Sequence, residues 1–197
     1  MTRQSVIEYI IPRVQHKRVL DVGCVGRWPD DETWLHDELV SNASQCVGID
    51  LNSEKIDRIS ERGYDVHVAN AESFDLNREF DVIIAGEVIE HMVAPGDFLD
   101  SCRVHLDDGG ELILSTPYPF ALVQIARKLI PGMEVSVIDD HTAWFCPNTI
   151  ETLAERKEWT VDEVKFMRAS ESGITQLLYD LGYESFEDDF VVRMTPD

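Results

Sequence analysis

The chain has 197 residues, with 17 Lys+Arg against 38 Asp+Glu and a formal net charge of −21. A domain of this size buries roughly 70% of the surface its unfolded chain exposes, so residues 1–197 are expected to form a single domain. The excess of acid repels nucleic acid and anionic membrane surfaces at long range, which argues against phosphate-rich partners except at a local basic patch. The acid is spread in short clusters, Asp30–Glu32, Asp107–Asp108, Asp139–Asp140 and Glu187–Asp189, most of which read as solvated surface. Such self-repulsion is tolerated where salt shortens the Debye length to about 3 Å at 1 M, so both a salt-rich cytoplasm and an ordinary acidic protein fit it. Cys24, Cys46, Cys102 and Cys146 lie far apart with no CxxC, the pattern of neither a zinc site nor a disulfide framework. Reduced thiols and a cytoplasmic location are expected. The first 14 residues carry Glu8 among apolar positions and are interrupted by Pro12, unlike a signal peptide or a membrane span.

In chain order, short apolar runs alternate with helix-period segments, the signature of βαβ units. Strands are predicted at Arg18–Val22, Cys46–Asp50, Asp65–Ala69, Phe80–Ala85 and Glu111–Ser115. Between them, helices are predicted over Asp31–Val40, with acid in the first turn, and over Glu54–Arg62, capped by Ser53 and stopped by Gly63. Another runs over Gly96–Leu106 and ends before Asp107-Asp108-Gly109-Gly110. Beyond Thr116, a core helix is expected over Phe120–Ile130, a helix over Thr149–Glu158 and a strand over Thr160–Met167. Ser172–Leu181 and Phe190–Met194 read as one more helix and one more strand.

The most informative stretch is RVLDVGCVGR, Arg18 to Arg27. It is an apolar strand running into a small-residue turn with an acid at its entry. In a parallel α/β sheet that turn lies at the carboxyl edge, where ligands bind and glycines let the backbone approach closely. CVGID, Cys46 to Asp50, places a carboxylate at the end of a second strand. Two ligand-facing strand ends together point to a nucleotide-like cofactor. A nicotinamide-dependent oxidoreductase would carry GxGxxG after the first strand, and Gly23 to Gly26 does not.

The order and spacing of VLDVGCVGR (Val19–Arg27), VGID (Val47–Asp50), FDVIIAGEVIEHM (Phe80–Met92), LDDGGELILSTP (Leu106–Pro117) and HTAWF (His141–Phe145) resemble those of class I S-adenosylmethionine-dependent methyltransferases. The group includes ubiquinone-biosynthesis O-methyltransferases and small-molecule or glycan methyltransferases. The resemblance implies a Rossmann-like three-layer α/β sandwich with a mostly parallel seven-stranded sheet, the last strand antiparallel. It implies S-adenosylmethionine as cofactor and a small-molecule methyl acceptor as partner, possibly a glycan or quinol-type hydroxyl. The cofactor residues it implies are Asp21, Gly23, Cys24, Val25 and Gly26 in the first turn, and Asp50 and Leu51 at the ribose. Asn70, Ala71 and Glu72 would lie at the adenine, with Gly86 and Glu87 at the methionine end.

The first turn departs from the family's glycines at Val25 and Arg27. Valine is compatible with binding if its φ is negative and strained if φ is positive. A non-catalytic cofactor-binding or scaffolding protein is the alternative that this departure suggests. Asn70 reads equally as an adenine contact or an Asx turn. Trp28 and Trp34 read as packing, with a place on the border of the pocket as the alternative. If the acceptor is a hydroxyl, its proton needs a base, and His91 and His141 are the candidates, since an imidazole with pKa near 6.5 suits that work. A packing or loop-holding role is the alternative for each. Asp139-Asp140-His141 has the composition of a metal site, but adjacent residues seldom converge on one ion and no second histidine follows at helical spacing. No metal is therefore expected.

Overall fold

The computed structural model describes residues 4–26, 28, 33–121, 141–168 and 187–197. Its strands are β1 (Arg18–Val22), β2 (Gln45–Asp50), β3 (Val66–Val68), β4 (Phe80–Gly86), β5 (Leu106–Pro117), β6 (Trp159–Arg168) and β7 (Glu187–Pro196). Its helices are α1 (Gln4–Val14), α2 (Leu35–Asn42), α3 (Ser53–Ser60), α4 (Pro95–Arg103) and α5 (Pro147–Arg156), with a short 3₁₀ turn at Ile89–His91. The strands form one sheet in the order β3-β2-β1-β4-β5-β7-β6. The first five pair in parallel, while β7 runs antiparallel to both β5 and β6.

Central strands read as continuous apolar runs because helices cover both faces of the sheet. Alternation along each strand sorts the side chains. Leu20, Ile83, Leu112 and Leu114 pack with Phe98 and Leu99 of α4 and Ile150 of α5. Val19, Val82, Ile84 and Ile113 pack with Val6 and Ile10 of α1 and Leu39 of α2. A smaller cluster joins Cys24, Val25 and Trp28 to Ile56 and Ile59 of α3. Each fully buried aliphatic side chain contributes about 1.5–3 kcal/mol, and these clusters fix the layers as helix, sheet and helix. The architecture is the Rossmann-like three-layer sandwich that the motifs implied.

Several local expectations change. The helix over residues 4–14 runs past Pro12, whose ring removes one backbone hydrogen bond, because Val6, Ile10 and Val14 recur on one buried stripe. Asn52 caps α3 in place of Ser53, its side chain accepting from the Lys55 amide at 3.0 Å. The second helix begins at Leu35, and Asp31 and Glu32 lie outside the described residues. Asp107 to Gly110 is not a loop before β5 but a bulge within it: Phe80 pairs with Leu106 and Val82 with Glu111, and Gly109 turns with φ +78°. Arg18 ties that bulge to β4, its Nη2 lying 2.5 Å from both Asp81 Oδ1 and Asp107 Oδ2. The fifth helix starts at Pro147, with Cys146 at its N-cap. Residues 122–130 of the expected core helix and the Ser172–Leu181 helix lie outside the described residues.

Strand order reverses between β1 and β4, whose neighbours are β2 on one side and β5 on the other. Crevices at such a reversal, outside the carboxyl ends of the strands, are where open α/β sheets bind ligands.

Candidate active site

A cleft of about 630 Å³ opens at that reversal, within the size range of small-molecule and cofactor sites. The turn after β1 forms one wall. Gly23 has φ +77° and Gly26 φ +49°, a region that suits glycine. A Cβ at Gly23 would come within 2.5 Å of Val88 Cγ2, so the turn can pass the β4 end only without a side chain there. Val25 is absent from the positive-φ residues, and it is buried with Trp28, Ile56 and Ile59. Its branched side chain thus fills the α3 layer without backbone strain, which is how this turn accommodates valine.

Two side chains, those of Asp50 and Trp34, brace the turn. The Val25 amide donates to Asp50 Oδ2 at 3.2 Å, while Asp50 Oδ1 accepts from the Asn52 amide at 2.9 Å. Trp34 Nε1 donates to the Cys24 carbonyl at 2.7 Å. Beneath them, Asp21 Oδ2 and His36 Nδ1 are 2.9 Å apart, both side chains being almost fully buried. Burial raises the Asp21 carboxyl above the ordinary carboxylate range, against the lowering effect of its bond to His36.

The opposite wall comes from the end of β4 and the segment after residue 140. Glu87 has φ +57°, and its amide donates to the Ser115 carbonyl at 2.9 Å. Glu90 is 1% exposed. Its Oε2 accepts from Thr116 Oγ1 at 3.0 Å, and its Oε1 is buried with no hydrogen-bond partner. Burial pushes the Glu90 carboxyl up to about 7. The Glu90 carbonyl accepts from the amides of Thr142 at 2.8 Å and Ala143 at 3.2 Å. Thr142 Oγ1 donates to the carbonyls of Glu90 and Met92, at 3.1 and 2.5 Å respectively. This clasp lays His141 against His91, their ring centroids 4.7 Å apart and edge to face.

The cleft gathers most of the residues singled out from sequence. Asp21, Gly23, Cys24, Val25 and Gly26 line it, as do Asp50, Leu51 and Ala71. Gly86, Glu87, His91 and His141 line the other side. Asn70 and Glu72 do not. Asn70 Oδ1 accepts from the Glu72 amide at 3.0 Å, the Asx-turn arrangement, and Glu72 Oε1 accepts from the amides of Val93 and Ala94, both at 2.6 Å. Glu72 therefore fixes the entry to α4, and only Ala71 of the three lies on the cleft.

A family model described as a methyltransferase domain matches residues 4–164. The chain belongs to this methyltransferase-domain family. It is similar to a ubiquinone biosynthesis O-methyltransferase of Nitrobacter winogradskyi, with 33% identity over 103 residues, which is 50% of this chain and 38% of that protein. The chain thus spans well under half the length of that relative. In fold, the methyltransferase domain is similar to a SAM-dependent methyltransferase from Archaeoglobus fulgidus, with TM-score 0.70, 18% identity and coverage of 95% and 90% of the two chains. It is also similar in fold to the glycopeptide N-methyltransferase MtfA complexed with S-adenosylmethionine, with TM-score 0.67, 13% identity and coverage of 97% and 86%.

Sequence reasoning on this methyltransferase domain missed the residues that hold the others. His36 under Asp21, Thr116 on Glu90 and the Thr142 clasp are all brought in from distant positions. Trp34 lines the cleft as well as packing, whereas Trp28 belongs to the α3 cluster. The expectation of no metal weighed only the sequence neighbours of His141. The fold instead brings Glu90 and His91 to it, with one donor atom of each residue within 4.8 Å of the others.

Proposed function

We propose that the domain binds S-adenosylmethionine in this cleft and transfers its methyl group to an oxygen of a small molecule, of the glycan or quinol-hydroxyl class. The observation that carries the reading is the pairing of two walls. One has a strand-end carboxylate and a glycine turn suited to a nucleoside, and the other has two touching imidazoles suited to a hydroxyl. The residues fit the cofactor. The glycine turn gives backbone access, and Asp50 uses one lone pair on each oxygen within the protein, leaving about two for ribose hydroxyls. Bound there, the cofactor supplies an electrophilic methyl on a positively charged sulfur.

The protein's own part is alignment and proton handling. Asp50 and the turn fix the nucleoside end, so that an acceptor oxygen entering past His91 and His141 meets the methyl carbon in line at about 3–3.5 Å. The sulfur–carbon bond breaks as the oxygen–carbon bond forms, and the hydroxyl proton passes to an imidazole of the pair. The ubiquinone-pathway relatives carry O-methyltransferase names, which supports oxygen over nitrogen as the acceptor atom. Incubation with methyl-tritiated S-adenosylmethionine and a panel of catechols, quinols and sugars tests this reading. Label is expected in a methyl ether formed from a hydroxyl-bearing acceptor, and transfer confined to amines would contradict the oxygen assignment.

A further inference from the structure

Glu90, His91 and His141 form a group of carboxylate and imidazole donors that general base catalysis does not require. Catalysis by one imidazole needs neither a second nor a buried carboxylate. Yet Glu90 is 1% exposed with one oxygen oriented by Thr116 and the other, Oε1, buried without a partner. A carboxylate left so costs desolvation energy unless something positive meets it. The three donor atoms lie within 4.8 Å of one another on the wall of the cleft, the only such metal-competent group among the described residues.

From this geometry we infer that Glu90, His91 and His141 bind a divalent first-row transition-metal cation of the zinc type, with positions left open toward the cleft. Imidazole donors favour such ions over magnesium or calcium, which prefer oxygen ligands and water. Two imidazoles and one carboxylate, with further positions free, are a donor set of catalytic zinc sites. Metal–donor bonds of about 2.0–2.2 Å set tetrahedral donors roughly 3.4 Å apart. Side-chain rotations closing the group by up to about 1.4 Å would complete the site. The supporting contacts are those a metal centre needs: Thr116 orients the carboxylate, and the Thr142 clasp holds His141 beside His91. Nothing in this assignment depends on methyl transfer. If the proposed function holds, the cation would take the acceptor oxygen as a ligand and lower its pKa, the hydroxyl proton leaving to water in the open cleft, and the two imidazoles would serve as ligands, which replaces the proton transfer to imidazole in that reading.

The test uses the whole chain, stripped with a chelator and freed of it by dialysis, in 0.5 M NaCl to screen the acidic surface. Titration with Zn²⁺ by calorimetry is expected to give one saturable site per chain, and Co²⁺ to give an intense visible band. Binding is expected to weaken at least about 100-fold in His91→Ala, His141→Ala and Glu90→Gln, and about 10-fold in Thr116→Val. Affinity for S-adenosylmethionine, measured on the same samples without metal, is expected to persist in the histidine variants. That separates failure of the metal site from failure of the cofactor reading and reports folding of the variants. A wild-type protein with no saturable Zn²⁺ site and no Co²⁺ band overturns the inference. So does a site whose affinity survives in the His91→Ala/His141→Ala double variant, because the ions would then sit on surface acid.

Discussion

Replacing Asp50 perturbs the cofactor wall at its most heavily used group. Asp50 spends one lone pair on the Val25 amide and one on the Asn52 amide, at 3.2 and 2.9 Å. Two bonds to ribose hydroxyls, each charge-assisted, are worth about 1.5–3 kcal/mol apiece in a dry site. Asp50 is only half buried, so the lower end applies, and Asp50→Ala loses about 3 kcal/mol of binding. At 1.4 kcal/mol per decade, that is roughly a 100-fold rise in Kd for S-adenosylmethionine. Asp50→Asn keeps one acceptor oxygen and is expected to cost roughly 10-fold. Asp50→Ala also loosens the turn by freeing the Val25 amide, at about 1 kcal/mol, which lowers Tm by roughly 2–4 °C. Calorimetric Kd values read beside melting curves separate the two effects. Folded Asp50→Ala protein with affinity within about threefold of wild type would refute the ribose role.

Other outcomes follow from single contacts. Burial raises the thiols of Cys24, Cys46 and Cys102, whereas Cys146 is half exposed, so a thiol reagent should label Cys146 alone in the native protein and all four in denaturant. Arg18 holds Asp81 and Asp107 below the usual carboxylate range, so these groups add stability above an unfolded pKa of about 3.9 and lose it as pH falls through their lower folded values. Arg18→Met should therefore flatten the acid limb of Tm against pH below about 4, and an unchanged limb would count against that pairing. With a net charge of −21, Tm should rise from low to molar salt as repulsion is screened, and equal stability at both ends would remove the salt-adaptation reading. His36→Ala leaves the Asp21 carboxyl buried without its hydrogen-bond partner and should cost about 1–3 kcal/mol of stability, measured by urea unfolding.

Much of the fold was legible because its signals are local. Apolar runs bounded by glycine and acid mark β1, β2 and β4 within a residue or so. Errors arose where tertiary contact overrides a local sign. Pro12 looks like a break, but buried contacts of Val6, Ile10 and Val14 carry α1 past it. Asp-Asp-Gly-Gly looks like a turn, but pairing with β4 and the Arg18 bridge draws it into β5 as a bulge. At the site, residues at strand ends could be named because the sheet itself delivers them to one edge. Asn70 and Glu72 could not be told from turn and cap residues, since an amide or carboxylate beside a free backbone N–H satisfies it first. His36 carries no sequence signal, and Thr142 stands in the HTAWF segment with nothing there to show what it binds. Their importance lies in what they touch, 15 positions away for His36 and about 50 for Thr142.

Calorimetry of the wild-type protein with S-adenosylmethionine and with S-adenosylhomocysteine tests the central claim most directly. The cleft, the glycine turn and Asp50 predict one site per chain for both, with Kd on the order of micromolar to 100 micromolar. Absence of binding heat for both ligands, at protein concentrations where such a site would saturate, would contradict it.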